Sequence, residues 1–116
     1  MNIEDFRLYC LKKKEVTESF PFDDSTLVLK VAGKIFALAS LDQPLSINLK
    51  CDPEKAVQLR ESYHAVKPGY HMNKQHWNTI EIDGTISENT LKTWIDHSYE
   101  LVISKMPKFR QKELGK

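Results

Sequence analysis

The spacing of hydrophobic and polar residues changes repeatedly along the chain, and each change marks an element. Ile3, Phe6 and Cys10, flanked by Tyr9, share one face at helical spacing. Asn2 stands at an N-cap position, Glu4 and Asp5 fill the first turn, and Lys12-Lys13-Lys14 follow the last apolar residue, where the helix dipole favours cations. The pattern predicts a first helix over residues 2–14. From Val16 the period becomes that of strands. Thr17 to Phe22 is a short extended piece that Pro21 confines to an edge or a strand end. Leu27, Leu29 and Val31 alternate with Val28 and Lys30, and Ile35 to Ala39 continues the strand character beyond Gly33-Lys34. Residues 26–41 therefore read as a hairpin, with Gly33-Lys34 suited to a two-residue type II′ turn. Leu45, Ile47 and Leu49 alternate with Ser46, Asn48 and Lys50, which predicts a strand with one wet face.

Asp52 before Pro53 is an N-cap followed by proline at the first helical position, opening a second helix that runs to about Tyr63. Trp77 to Ile82 reads as the last strand, with Ile80 and Ile82 toward the core. Ser87 caps a third helix, Glu88 and Lys92 form an i, i+4 pair, and Leu91, Ile95, Ser98 and Val102 make its core stripe, widened by Trp94 and Leu101. Pro107 ends it at about Met106. The predicted order is helix, four strands, helix, strand, helix: an α+β fold, a two-layer sandwich in which an antiparallel sheet carries its helices on one face. Alternation places Lys30, Ser46, Asn48, Lys50, Thr79 and Glu81 on the other face. Residues 1–106 make a single domain, and residues 107–116 are a basic C-terminal tail, expected to be solvated and frayed.

Composition narrows the function classes. The chain has 116 residues, 41% hydrophobic and 28% charged, with a net charge of +1, which weighs against strong non-specific binding to a phosphate backbone. Charge is uneven: Lys105, Lys108, Arg110, Lys112 and Lys116 face only Glu113 at the C-terminal end. Cys10 and Cys51 have no ligand spacing, so buried free thiols in a reducing compartment are expected. The N-terminus has no apolar leader and no run approaches the ~18 apolar residues of a membrane span, so the expected location is the cytoplasm, with no membrane partner.

One stretch holds more chemistry than folding needs. Residues 67–80 gather Lys67, Tyr70, His71, Asn73, Lys74, His76, Trp77 and Asn78 without a helical period. A zinc site needs three or four ligands, and no cysteine or acid lies at ligand spacing here. Asp96-His97-Ser98 names the members of a catalytic triad, but three adjacent helical residues point in different directions. No phosphate-binding glycine loop or hydrolase motif is present, so the expectation is a non-enzymatic protein with no metal and no cofactor. Two readings of the stretch remain. In the structural one, Tyr70 and Trp77 pack over the core edge while Asn73 and His76 bond loop backbone. In the functional one, Lys67 and Lys74 meet phosphate and Tyr70, His71, His76 or Trp77 offers a stacking or polar surface.

The residues also carry a resemblance. Gly69-Tyr70-His71-Met72-Asn73-Lys74, His76-Trp77-Asn78-Thr79, Asp83-Gly84 and the helix segment Ile95 to Val102 are similar to the MmcQ/YjbR family, as are Pro21-Phe22 and the Lys30 to Ala37 hairpin. That resemblance implies a fold related to secretion-chaperone and frataxin-like α+β sandwiches. It also implies a small bacterial cytoplasmic protein that binds DNA through a double-wing arrangement. On this reading Lys67, Tyr70, His71, Asn73, Lys74, His76 and Trp77, with Lys108 and Arg110 of the tail, are the nucleic-acid-binding residues. The alternative is a protein-interaction or chaperone-like module that uses the exposed sheet face, or a homodimer.

Overall fold

The computed structural model describes residues 1–69 and 72–116. The elements are α1 (Ile3–Leu11), β1 (Val16–Ser19), β2 (Thr26–Val31), β3 (Lys34–Ser40), β4 (Ser46–Lys50), α2 (Pro53–Ser62), β5 (Val66–Pro68), β6 (Trp77–Glu81), α3 (Glu88–Ser104) and α4 (Lys108–Glu113). The six strands form one antiparallel sheet in the order β1-β2-β3-β4-β6-β5. The α+β class expected from the hydrophobic pattern is the one observed.

The caps act as the sequence predicts. Asn2 and Asp5 form a reciprocal capping box at α1, Asp52 accepts from the Glu54 N–H at α2, and Ser87 accepts from the Thr90 N–H at α3. The helices cover one face of the sheet. There Leu29, Ala37 and Leu49 align across β2, β3 and β4 and pack with Phe6 and Cys10 of α1 and with Leu91, Ile95 and Val102 of α3. Ser46, Asn48 and Lys50 of β4 stand opposite Glu81, Thr79 and Trp77 of β6 on the outer face, so the predicted alternation holds. That face is not wholly polar, however. Val28, Leu38 and Trp77 form a second apolar cluster on it, with Ile35 and Met72 against its margin.

Four features differ from expectation. The hairpin turn is Ala32-Gly33, with Val31 opposite Lys34 and φ of +47° and +84° at the two central residues, a type I′ turn rather than type II′. Val66–Pro68 adds a sixth strand at the edge beyond β6. Between Leu29 and Lys30 the β2–β3 register shifts, leaving Phe36 as an extra residue of a β-bulge. The last residues do not fray: Lys108–Glu113 is helix α4, and Leu114 is buried in the main core at 4% exposure.

The bulge sets the position of β4's end. Ser98, fully buried on α3, donates its hydroxyl to the Phe36 carbonyl at 2.5 Å and accepts the Lys50 N–H at 2.9 Å. One hydroxyl thus satisfies the donor and the acceptor that lie just beyond the end of the β3–β4 ladder at Ala37 and Leu49. Tyr99 packs edge-on against Phe36, with ring centroids 5.4 Å apart. No helix among the described residues is long and apolar enough to cross a membrane.

Candidate nucleic-acid interface

The central stretch is tied down mainly through its backbone. The Gly69 N–H donates to the Trp77 carbonyl at 2.9 Å, and the approach is so close that a Cβ on residue 69 would lie 2.8 Å from Trp77 Cβ. Asn73 Oδ1 accepts the Gln75 N–H at 2.8 Å, and the His76 carbonyl accepts the Cys51 N–H at 2.7 Å. Arg60 of α2 is the clamp. Its Nε donates to Asn78 Oδ1 at 2.6 Å, and its Nη2 donates to the carbonyls of Lys74 and, at 3.3 Å, Trp77. Asn78 in turn donates its amide to the Ala56 carbonyl at 3.3 Å, which completes the junction between β6 and α2. Asn73 therefore does what the structural reading asks of it.

The residues named from sequence do not meet on one surface. Lys67 is held by Glu81 at 2.8 Å. Trp77 is 7% exposed and belongs to the outer apolar cluster, so it presents no open ring face. Lys74 is exposed and His76 half-buried, while Tyr70 and His71 lie outside the described residues. Arg110 pairs with Glu113 at 3.1 Å and with Glu15 at 3.6 Å. Glu15 immediately precedes β1, whereas Lys67 is on β5, so the two groups of cations stand at opposite edges of the sheet. Five strand spacings separate those edges, about 24 Å.

Another set of cations does converge. Lys34 at the hairpin turn, Lys50 at the end of β4 and Lys105 at the C-cap of α3 line a cleft of about 480 Å³, with Ile35, Met106 and Pro107 between them. Among the described residues none of these three ammonium groups has an ion-pair partner. Lys30 lies opposite Ile35 in the β2–β3 ladder, beside the cleft, and Lys108 begins α4 directly after Pro107. Alternation in the sequence marks Lys30 and Lys50 as outward. Their meeting with Lys105 depends on where α3 ends against the hairpin, which no local pattern carries.

Asp96, His97 and Ser98 have structural partners. Asp96 accepts from the Tyr9 hydroxyl at 2.7 Å and from Lys13 at 2.5 Å, His97 Nε2 faces the Asp52 N–H at 3.5 Å, and Ser98 spans the bulge. The three neighbours thus turn toward α1, the start of α2 and the sheet. Burial pushes the Cys10 thiol up to about 12, and burial also raises that of Cys51. Both are free, buried and protonated near neutral pH.

These features define the class: a small two-layer α+β protein with helices on one face of an antiparallel sheet and a basic cleft at one end of it. The chain belongs to the YjbR family, whose family model matches residues 11–101. It is 42% identical over 96 residues to the uncharacterised protein YbdF of Escherichia coli O157:H7, covering 82% of this chain and 79% of that one. It is 30% identical over 115 residues to the uncharacterised protein YjbR of Escherichia coli K12, covering 98% of each. Among solved structures, the crystal structure of protein DR2400 of Deinococcus radiodurans superposes with a TM-score of 0.93 at 40% identity, covering 98% of this chain and 88% of that one. A protein from Pseudomonas syringae matches at 0.77 and 27% identity, over 87% of this chain and 98% of that one.

Proposed function

We propose that this protein is a non-enzymatic DNA-binding protein that meets the phosphate backbone with the tip of the β2–β3 hairpin and the C-terminal end of α3. The observation that carries the reading is the convergence of Lys34, Lys50 and Lys105, without ion-pair partners among the described residues, on one open cleft. Lys30 and Lys108 extend the same surface along the hairpin and into α4. A net charge of +1 is compatible with this because charge is unevenly placed: Glu18, Asp96, Glu81 and Glu100 pair with Arg7, Lys13, Lys67 and Lys116, away from the cleft. The contacts are to phosphate, so affinity is modest and strongly salt-dependent. A broad protein-docking face has less to rest on. Val28, Leu38 and Trp77 on the outer sheet face are buried, and the exposed large apolar side chains are spread over α1, the β1–β2 loop, α2 and α4.

The test is fluorescence anisotropy with a labelled 30-base-pair duplex across a salt series. Three lysine–phosphate contacts give a log–log slope of about −3, and Lys34→Ala, Lys50→Ala and Lys105→Ala should each reduce its magnitude by about 1. Lys112→Ala serves as the surface control and leaves the slope unchanged. Absence of binding at low salt, or binding unaffected by the triple alanine variant, would overturn the proposal.

A further inference from the structure

A second concavity lies on the other half of the outer sheet face and is separate from the basic cleft. It has a volume of about 640 Å³, with Leu38 and Asn48 in its floor, Phe22 and Asp23 of the β1–β2 loop on one wall, Met72 on another and Asp42 of the β3–β4 loop at its rim. That volume falls within the range of small-molecule sites.

The lining is chemically divided. Asn48 is 9% exposed, and its Oδ1 accepts from the Thr79 hydroxyl at 2.5 Å. Among the described residues the Asn48 amide NH2 has no partner, and the residue lines the cleft, so its two donors are available to whatever occupies it. Among the described residues no buried side-chain nitrogen or oxygen lacks a partner, so this amide is open to solvent and free to donate to a ligand in the cleft. The upper wall has the opposite character. Asp23 Oδ1 accepts the Ser25 and Thr26 N–H groups at 2.9 and 2.7 Å, which fixes a carboxylate at the mouth of the cleft. Asp42 is exposed and makes no ion pair among the described residues. Phe22, 66% exposed, adds an aromatic face beside Asp23. Carboxylates next to an open ring are suited to a guanidinium or ammonium group.

We infer that this cleft binds a free small ligand that combines a carbonyl acceptor, taken by the Asn48 amide, with a guanidinium or ammonium group held by Asp23, Asp42 and Phe22. Leu38 and Met72 contact the apolar stem between the two ends. The site shares no residue with the proposed DNA contacts, so either can fail without the other.

The experiment is titration of the 15N-labelled protein with N-acetyl-arginine amide, with N-acetyl-glutamine amide as the uncharged comparison. The expected result is saturable movement of the Asn48 side-chain NH2 signals and of the Leu38 amide, with weaker or no response to the glutamine compound. Asp42→Asn alters only an exposed side chain and should weaken binding about two- to five-fold. Asn48→Ala should weaken it about three- to ten-fold. Equal responses to both compounds would overturn the cationic assignment, and no movement at Asn48 and Leu38 at millimolar ligand would overturn the site. A response to arginine-containing unfolded peptides but not to the free compound would overturn the small ligand in favour of a polypeptide partner.

Discussion

Replacing Ser98 by alanine removes one oxygen atom from the place where α3 bridges Phe36, the bulged residue of β3, and Lys50 at the end of β4. The Phe36 carbonyl loses a donor at 2.5 Å and the Lys50 N–H loses an acceptor at 2.9 Å. Ser98 and Phe36 are fully buried, so bulk water does not reach the Phe36 carbonyl to replace the hydroxyl. Each orphaned buried group costs about 1–3 kcal/mol, and the two groups face the same small gap and can partly relax toward each other. A net loss of about 2–4 kcal/mol follows, several times what an ordinary surface substitution produces. For a chain of 116 residues the entropy of unfolding at the midpoint is about 0.24 kcal/mol/K, so the melting temperature should fall by roughly 8–16 °C. Urea unfolding should show the same loss as a lower midpoint with an unchanged slope. The Lys50 amide should also exchange its hydrogen faster, which ties the loss to this bond rather than to general weakening. Ser104→Ala, which removes an exposed hydroxyl bonded to the Leu101 carbonyl at 2.6 Å, is the control and should change stability by about 0.5 kcal/mol or less. A Ser98→Ala loss below about 1 kcal/mol, or an unchanged Lys50 exchange rate, would refute the role assigned to this hydroxyl.

Arg60→Met keeps the aliphatic stem but leaves Asn78 Oδ1 and the Lys74 and Trp77 carbonyls without their donor. A loss of about 2–3 kcal/mol is expected, with faster exchange of the Gly69 and His76 amides; protection unchanged at both would contradict the clamp. Gly69→Ala places a Cβ 2.8 Å from Trp77 Cβ and 2.9 Å from its carbonyl oxygen, so the backbone must move. It should destabilise by about 1–3 kcal/mol and shift the tryptophan emission, and a stability equal to wild type would show that the approach is not that tight. The Arg7 guanidinium, hydrogen-bonded to Glu18 at 2.6 Å through both Nε and Nη2, holds that carboxyl below its ordinary value of 4.5. A folded-state pKa below the unfolded one contributes stability that is present above about pH 4.5 and is lost as pH falls through the folded value. Glu18→Gln should therefore flatten the acid side of the stability profile, and a slope identical to wild type below pH 4.5 would count against the pair.

Much of the fold is legible in the chain because its signals are local. Period-two alternation in Leu45 to Lys50 and in Trp77 to Glu81 fixes which side chains face the helices, and the cap residues Asn2, Asp52 and Ser87 fix where the helices start. The signature running from Gly69 to Thr79 leads to the YjbR family, which the family model and the relatives bear out. What is missed depends on distant partners. The bulge at Phe36 is stabilised by a hydroxyl 62 residues away, and α4 is held by burial of Leu114 and by Arg110 on Glu15, so its basic composition alone reads as a tail. Strand β5 has three residues and ends in proline, too short to show a period. Ala32 occupies a left-handed position that residue type does not announce.

The same distinction explains why the cations chosen from sequence and those that converge are different. Lys67 and Lys74 are close along the chain, but β-pairing gives Lys67 to Glu81 and leaves Lys74 on a separate loop. Lys34, Lys50 and Lys105 are far apart along the chain and meet because three element ends coincide: a hairpin turn, the last residue of β4 and the C-cap of α3. Ser98 contributes to that coincidence, since it anchors the Lys50 backbone to α3 about two turns before Lys105. Strand β4 then serves both ends of the outer face. Asn48 and Lys50 point the same way two residues apart, about 6.8 Å, yet one lies in the floor of the acidic-walled cleft and the other in the basic one. Trp77, directly opposite Lys50 and packed with Val28 and Leu38, lies on the outer face with them. Its burial there gives it a structural task that its prominence in the signature does not reveal: it ties β6 to the outer apolar cluster of β2 and β3.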